Sequence, residues 1–71
     1  MSGEIVDARG KRCPLPIIEL AQALKIINIG ESLTLLSDDP ATVADLTAWA
    51  RMTKNEVEQE GDFEFLVTRL N

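Results

Sequence analysis

Ile17, Leu20, Ala21, Leu24 and Ile27 recur at intervals of three and four, the spacing that lines one face of a helix with apolar side chains. Pro14 suits the first position of that helix, because the N–H it lacks would have no partner there. The expected helix therefore runs from Pro14 to about Ile27, and Gly30 closes the unit. Upstream, Glu4 to Asp7 reads as a short strand carrying Ile5 and Val6, followed by a turn at Arg9-Gly10-Lys11-Arg12. Downstream, Ser32 to Ser37 reads as a strand with Leu33 and Leu35 on one face and Leu36 on the other.

Asp38-Asp39-Pro40 is a helix-start signal, with Asp39 as N-cap and Pro40 at the first helical position. The helix that follows should reach about Thr53 and bury Val43, Leu46 and Ala50, with Trp49 at the edge of the stripe. Asn55 to Glu60 is a weak strand whose one strong apolar residue is Val57. Gly61-Asp62 turns the chain into Phe63 to Leu70, where Phe63, Phe65 and Val67 alternate. The order is β-α-β-α-β-β. Two right-handed crossovers followed by a hairpin give an α/β two-layer sandwich, with a mixed four-stranded sheet and both helices on one face.

The chain has 71 residues, 45% of them hydrophobic, which suits one domain over residues 1–71 with an aliphatic core. One cysteine and no histidine exclude an internal disulfide and the usual zinc spacings, so no metal and no cofactor is expected. An unpaired thiol fits a reducing compartment, the cytoplasm by default. Met1 to Gly10 lacks the apolar stretch of a secretion signal, and no apolar run reaches the length of a membrane span. The net charge of −5 argues against binding a nucleic-acid backbone. The charges are unevenly placed. Arg9, Lys11 and Arg12 fall in the four positions before Cys13, and no acid occurs from Ala8 to Ile18.

Cys13 stands at the N-cap of the first helix, directly before Pro14. A free cysteine is mostly protonated at neutral pH, and the thiolate is its reactive form. The positive end of the helix and the trio Arg9, Lys11 and Arg12 both favour the thiolate. Pro14 and Pro16 lack N–H groups, which leaves Leu15 as the main amide of the first turn to donate toward sulfur. Without histidine there is no Cys-His dyad, and without a second cysteine no internal dithiol cycle. Thiol exchange with another molecule needs neither. A lone cysteine is more often a packing residue than a reactive one. Its place at a helix start, between cations and a Pro-x-Pro, favours the reactive reading here.

Asp7-x-Arg9-Gly10-x-x-Cys13-Pro14-x-Pro16 closely resembles the signature of the TusA/SirA-like sulfur carriers, and Gly30-Glu31, Asp39-Pro40, Asp45 and Trp49 resemble later landmarks of that family. The resemblance covers nearly the whole chain. It implies the β-α-β-α-β-β fold, with Cys13 accepting sulfane sulfur as a persulfide from a cysteine desulfurase or rhodanese-like donor. A downstream partner protein then takes the sulfur, in pathways that include tRNA thiolation, sulfur oxidation and cofactor assembly. Such a protein is a sulfurtransferase in the sense of a carrier, not a stand-alone enzyme of many turnovers. Asp7, Gly10, Pro14 and Pro16 would shape the motif. Lys54 departs from the glycine common after the second helix, so Asn55 is expected to take the left-handed position; Ile29 replaces a common proline.

The alternative is a non-catalytic regulatory or RNA-associated module on the same architecture. The acidic balance and the lack of an aromatic stacking platform weigh against it. On the first helix, Leu15, Ile18 and Ile26 fall outside the core side. Leu15 and Ile26 are expected to form a docking surface with Arg9, Lys11 and Arg12 nearby, while Ile18 is expected to be covered by the second helix.

Overall fold

The computed structural model describes residues 4–12 and 14–71. Its elements are β1 (Ile5–Asp7), α1 (Leu15–Leu24), β2 (Ser32–Leu36), α2 (Thr42–Thr53), β3 (Glu56–Gly61) and β4 (Glu64–Thr68). The sheet order is β1-β2-β4-β3. β1 and β2 are parallel, so the chain between them must cross over, and α1 is that crossover. α2 carries the chain across β4 to the far edge, where β3 returns to β4 as an antiparallel hairpin. Both helices pack on one face of a mixed four-stranded sheet, giving the two-layer α/β architecture.

The register explains the core. Leu33 lies opposite Val67 and Leu35 opposite Phe65, and all four are buried against Leu20, Leu24, Ile27 and Leu46. Val6 and Val57 extend the same face to the two edges. The side chains between them, Thr34, Leu36 and Leu66, are half-buried on the face without helices. A slip of one residue would exchange the two sets, so burial fixes the pairing. Truncating Leu20, Leu35 or Leu46 to alanine would cost about 2–5 kcal/mol each, a large share of what holds so small a domain folded.

Several elements depart from the pattern-based expectation. The regular part of α1 stops at Leu24, and the last turn tightens, with Lys25 N–H donating to Gln22 O and Ile26 N–H to Ala23 O. Ile27 is still buried. α2 begins at Thr42, two residues later than expected. Asp39 nevertheless accepts a hydrogen bond from Ala41 N–H (3.0 Å), and Thr42 N–H closes onto Asp39 O (3.0 Å), so Pro40 and Ala41 form a lead-in turn. The core side of α2 is centred on Thr42 and Leu46, which leaves Val43 exposed instead of buried. Thr42 is buried because its hydroxyl is satisfied by Ser37 Oγ at 2.7 Å, joining the end of β2 to the start of α2. Phe63 is exposed because it lies in the hairpin turn, before β4 begins at Glu64, and so outside the alternation that buries Phe65 and Val67. Finally, Lys54 and not Asn55 adopts the left-handed conformation after α2, with φ 60° and ψ 31°. Asn55 uses its side chain instead, accepting from Leu70 N–H at 2.9 Å.

Candidate functional site

Parallel strands with crossover helices bring the ends of β1 and β2 together, and the loops that follow them meet at one edge of the molecule. Ala8 is fully buried and donates its N–H to Leu36 O (2.8 Å), which anchors the first loop. Gly10 follows with φ 81°, a conformation open to glycine because it has no Cβ. The Gly10 N–H donates to Asp38 Oδ1 at 2.9 Å and so ties the loop after β1 to the loop after β2. Pro16 is buried in the first turn of α1, and Pro14 is exposed. Cys13 lies outside the described residues; Arg12 and Pro14, its neighbours in sequence, are both exposed.

The cations of this loop are not equivalent. Arg9 clasps Asp7 with its backbone N–H (3.1 Å to Oδ1), its Nε (3.0 Å to Oδ1) and a terminal nitrogen (2.9 Å to Oδ2). The side-chain hydrogen bonds from Arg9, then its backbone N–H, lower the Asp7 carboxyl from 3.8 to about 2. The same contact raises the Arg9 guanidinium above its ordinary value. Lys11 pairs with Glu19 of α1. Arg12 makes no ion pair among the described residues. It borders a hollow of about 150 Å³ with Gly10, Asp38 and Asp39. The expected basic collar is thus two ion pairs and an Arg12 that forms no ion pair among the described residues.

The backbone also differs from expectation. Leu15 N–H, the amide expected to point at sulfur, donates to Arg12 O at 2.9 Å. Any help to a thiolate from that amide is therefore already committed to a carbonyl. On α1, Leu15 is 48% and Ile26 75% exposed, as the helical wheel requires. Ile18 is 45% exposed, so α2 does not cover it, contrary to expectation.

Two residues of this edge were not singled out by sequence reasoning. Asp38 reads as part of a helix-start signal, yet its carboxylate holds the opposite loop. Glu19 of α1 takes the Lys11 charge. The signal for Asp38 was topological: parallel β1 and β2 must end side by side. Asp45, in the first turn of α2, has its Oδ2 buried without a hydrogen-bond partner among the described residues, at the helix end where a carboxylate is favoured. Among the described residues no three His, Cys, Asp or Glu side chains come together as a metal site. No helix there is long and apolar enough to cross a membrane.

Comparison with known proteins agrees with this geometry. The sulfur carrier protein TusA of Allochromatium vinosum is 37% identical over 68 residues, covering 90% of each chain. A putative sulfur carrier protein of Archaeoglobus fulgidus is 34% identical, covering 92% of this chain and 93% of that one. The crystal structure of a SirA-like protein from Desulfitobacterium hafniense superposes with a TM-score of 0.78 at 26% identity, covering 94% of this chain and 97% of the other. The family model described as Sulfurtransferase TusA matches residues 4–69, and the chain belongs to that family.

Proposed function

We propose that the chain is a sulfur carrier that holds sulfane sulfur as a persulfide on Cys13. The observation that carries the reading is the family match across the loop from Asp7 to Pro16, in a chain with a single thiol and no histidine. Relatives over nearly the whole length are named sulfur carriers. In loading, the Cys13 thiolate attacks the terminal sulfur of a donor persulfide. A new S–S bond forms on Cys13, the donor's S–S bond breaks, and the donor cysteine leaves as a thiolate. In delivery, a nucleophile of the acceptor takes the terminal sulfur and Cys13 departs as a thiolate. No second cysteine of the chain can discharge the cargo.

The donor is a cysteine desulfurase or rhodanese-like protein, and the acceptor is a second protein of the relay. Arg12 supports the thiolate electrostatically, whereas Arg9 and Lys11 shape the loop through their carboxylate partners. Leu15 and Ile18, exposed in the first turns of α1, offer the partner an apolar contact. A reducing compartment suits its unpaired cysteine.

Intact mass after incubation with a desulfurase and cysteine tests this reading. Wild type should gain the mass of one sulfur atom, removable by a reductant. Cys13→Ser should gain nothing and stay folded. A Cys13→Ser protein that still becomes loaded would end the proposal.

A further inference from the structure

The edge that carries the thiol loop has a third component, the turn of the β3–β4 hairpin. β4 lies antiparallel to β2, so it starts where β2 ends. Phe63 O accepts the Ser37 N–H at 3.0 Å, one rung beyond the pair Leu36 and Glu64, which fixes the backbone of the turn against the loop after β2. The next residue of that loop, Asp38, holds the Gly10 N–H of the first loop. The hairpin turn and the Cys13 loop therefore flank the loop after β2. With β1 and β4 on either side of β2, they start about 10 Å apart, two strand spacings. At the turn Phe63 is 55% exposed. Glu60, Asp62 and Glu64 surround it in sequence, all exposed and none in an ion pair among the described residues. No lysine or arginine occurs from Ile26 to Ala50 or from Asn55 to Thr68, so neither the turn nor the neighbouring loop supplies a counter-charge.

We propose that Phe63, with Glu60, Asp62 and Glu64 around it, is a second docking point for proteins that reach Cys13, and that it fits an apolar pocket rimmed by lysine and arginine. Scale identifies the occupant as the same partner that meets the thiol loop. Even a small specific interface covers about 600 Å² per partner, a disc of roughly 14 Å radius. The whole molecule measures only 28 × 23 × 20 Å. A partner centred on the Cys13 loop therefore lies over the hairpin turn as well, and its surface there must accept a phenyl ring and three negative charges. A pocket rimmed by lysine and arginine does both, because the ring is dehydrated while the carboxylates stay at the wet margin and meet cations. An acidic or wholly apolar surface would cover the carboxylates without compensation. Arg12, exposed in the first loop, calls for the opposite sign in the partner. Opposite charges on the two flanks allow one orientation of the partner.

That this partner is a relay protein rests on the sulfur-carrier reading; the contact itself needs only a thiol at position 13. The probe is a synthetic peptide with a cysteine activated as its thionitrobenzoate disulfide, a three-glycine spacer of about 10 Å and a Lys-Leu-Lys-Lys head. The Cys13 thiolate attacks the peptide sulfur, the activated S–S bond breaks, and coloured thionitrobenzoate leaves as the anion. At low ionic strength wild type should react about fivefold faster with this peptide than with one bearing a Glu-Leu-Glu-Glu head, and the ratio should fall in salt. Asp62→Asn with Glu64→Gln should erase most of that ratio. Glu56→Gln with Glu58→Gln removes the same charge farther along β3 and should keep most of it. Replacing the peptide leucine by serine should slow wild type about threefold and leave the rate of Phe63→Ser unchanged. Should Phe63→Ser unfold, amide shifts in wild type decide, since a peptide lacking the disulfide should move Glu60 to Glu64 and Ser37. A ratio that survives the loss of Asp62 and Glu64 overturns the proposal, because net charge alone would then steer the peptide. Unmoved amides from Glu60 to Glu64 overturn it too. Failure of desulfurase loading, with these peptide results intact, would overturn the sulfur-carrier reading and leave the contact standing.

Discussion

Lys54→Gly should stabilise the protein. Lys54 occupies the left-handed region at the C-cap of α2, where its Cβ crowds the backbone. That conformation costs an L-residue about 1–2 kcal/mol and glycine almost nothing. Against the gain stands the larger entropy of a glycine in the unfolded chain, about 0.4–1 kcal/mol. The net expectation is a stabilisation of about 0.5–1 kcal/mol. The contacts of this turn survive the change, because Asn71 donates its side-chain N–H to the backbone carbonyl of Lys54 (2.8 Å), which glycine retains. For a domain of this size the melting temperature should rise by roughly 3–6 °C. Urea unfolding followed by circular dichroism would show a higher midpoint at an unchanged slope. Lys54→Ala is the control, since it removes the charge but keeps the Cβ, and it should melt close to wild type. If Lys54→Gly melts at or below wild type, or alanine stabilises as much, the conformational account is wrong and the lysine side chain is the cause.

Other expectations concern the loop and its neighbours. Arg12→Gln should slow loading by a protein donor by roughly threefold at low ionic strength and flatten its salt dependence, whereas Arg9→Gln and Lys11→Gln should do less, because carboxylates already neutralise both; equal effects from all three would contradict the pairing. Leu15→Glu should slow sulfur delivery from a protein donor by roughly tenfold while leaving the melting temperature and alkylation by small reagents unchanged; unfolding of this variant would place Leu15 in the core. The Asp7 carboxyl should titrate near 2 by carbon NMR, and near 3.8 in Arg9→Gln. Because the folded-state value is the lower one, the Asp7–Arg9 contact stabilises the fold above about pH 4 and loses that effect as the pH falls from about 4 through 2.

Much of the architecture is legible in the chain because burial and periodicity agree. Leu20, Leu24 and Ile27 announce the inner side of α1, and Leu33 and Leu35 that of β2. The misreadings share a physical origin. The phase of α2 depends on where its first regular turn begins, and a lead-in of two residues at Pro40 and Ala41 exchanged Val43 for Thr42 as a buried residue. A hydroxyl was not expected inward, since its partner at Ser37 lies in another element. Phe63 was misplaced because the hairpin turn takes it and β4 begins only at Glu64. The site was legible as a set of residue types and less so as an electrostatic object. Nothing local states that Lys11 finds Glu19, that Arg9 folds back on Asp7, or that the Leu15 amide is taken by the Arg12 carbonyl.

The hydrogen bond from Gly10 to Asp38 has a consequence for how such a protein can diversify. It couples two loops that hang from different strands and carry different duties. The first carries Cys13; the second contributes carboxylates and no thiol. A backbone donor does not depend on the identity of the residue that carries it, so the coupling survives side-chain drift on the first loop as long as an oxygen remains at position 38. Substitutions around Asp39 and Pro40 can then alter the surface of the second loop while the tie to the first is kept. A lineage could in this way keep one chemistry while changing its clientele, by editing the address and leaving the cargo hold alone.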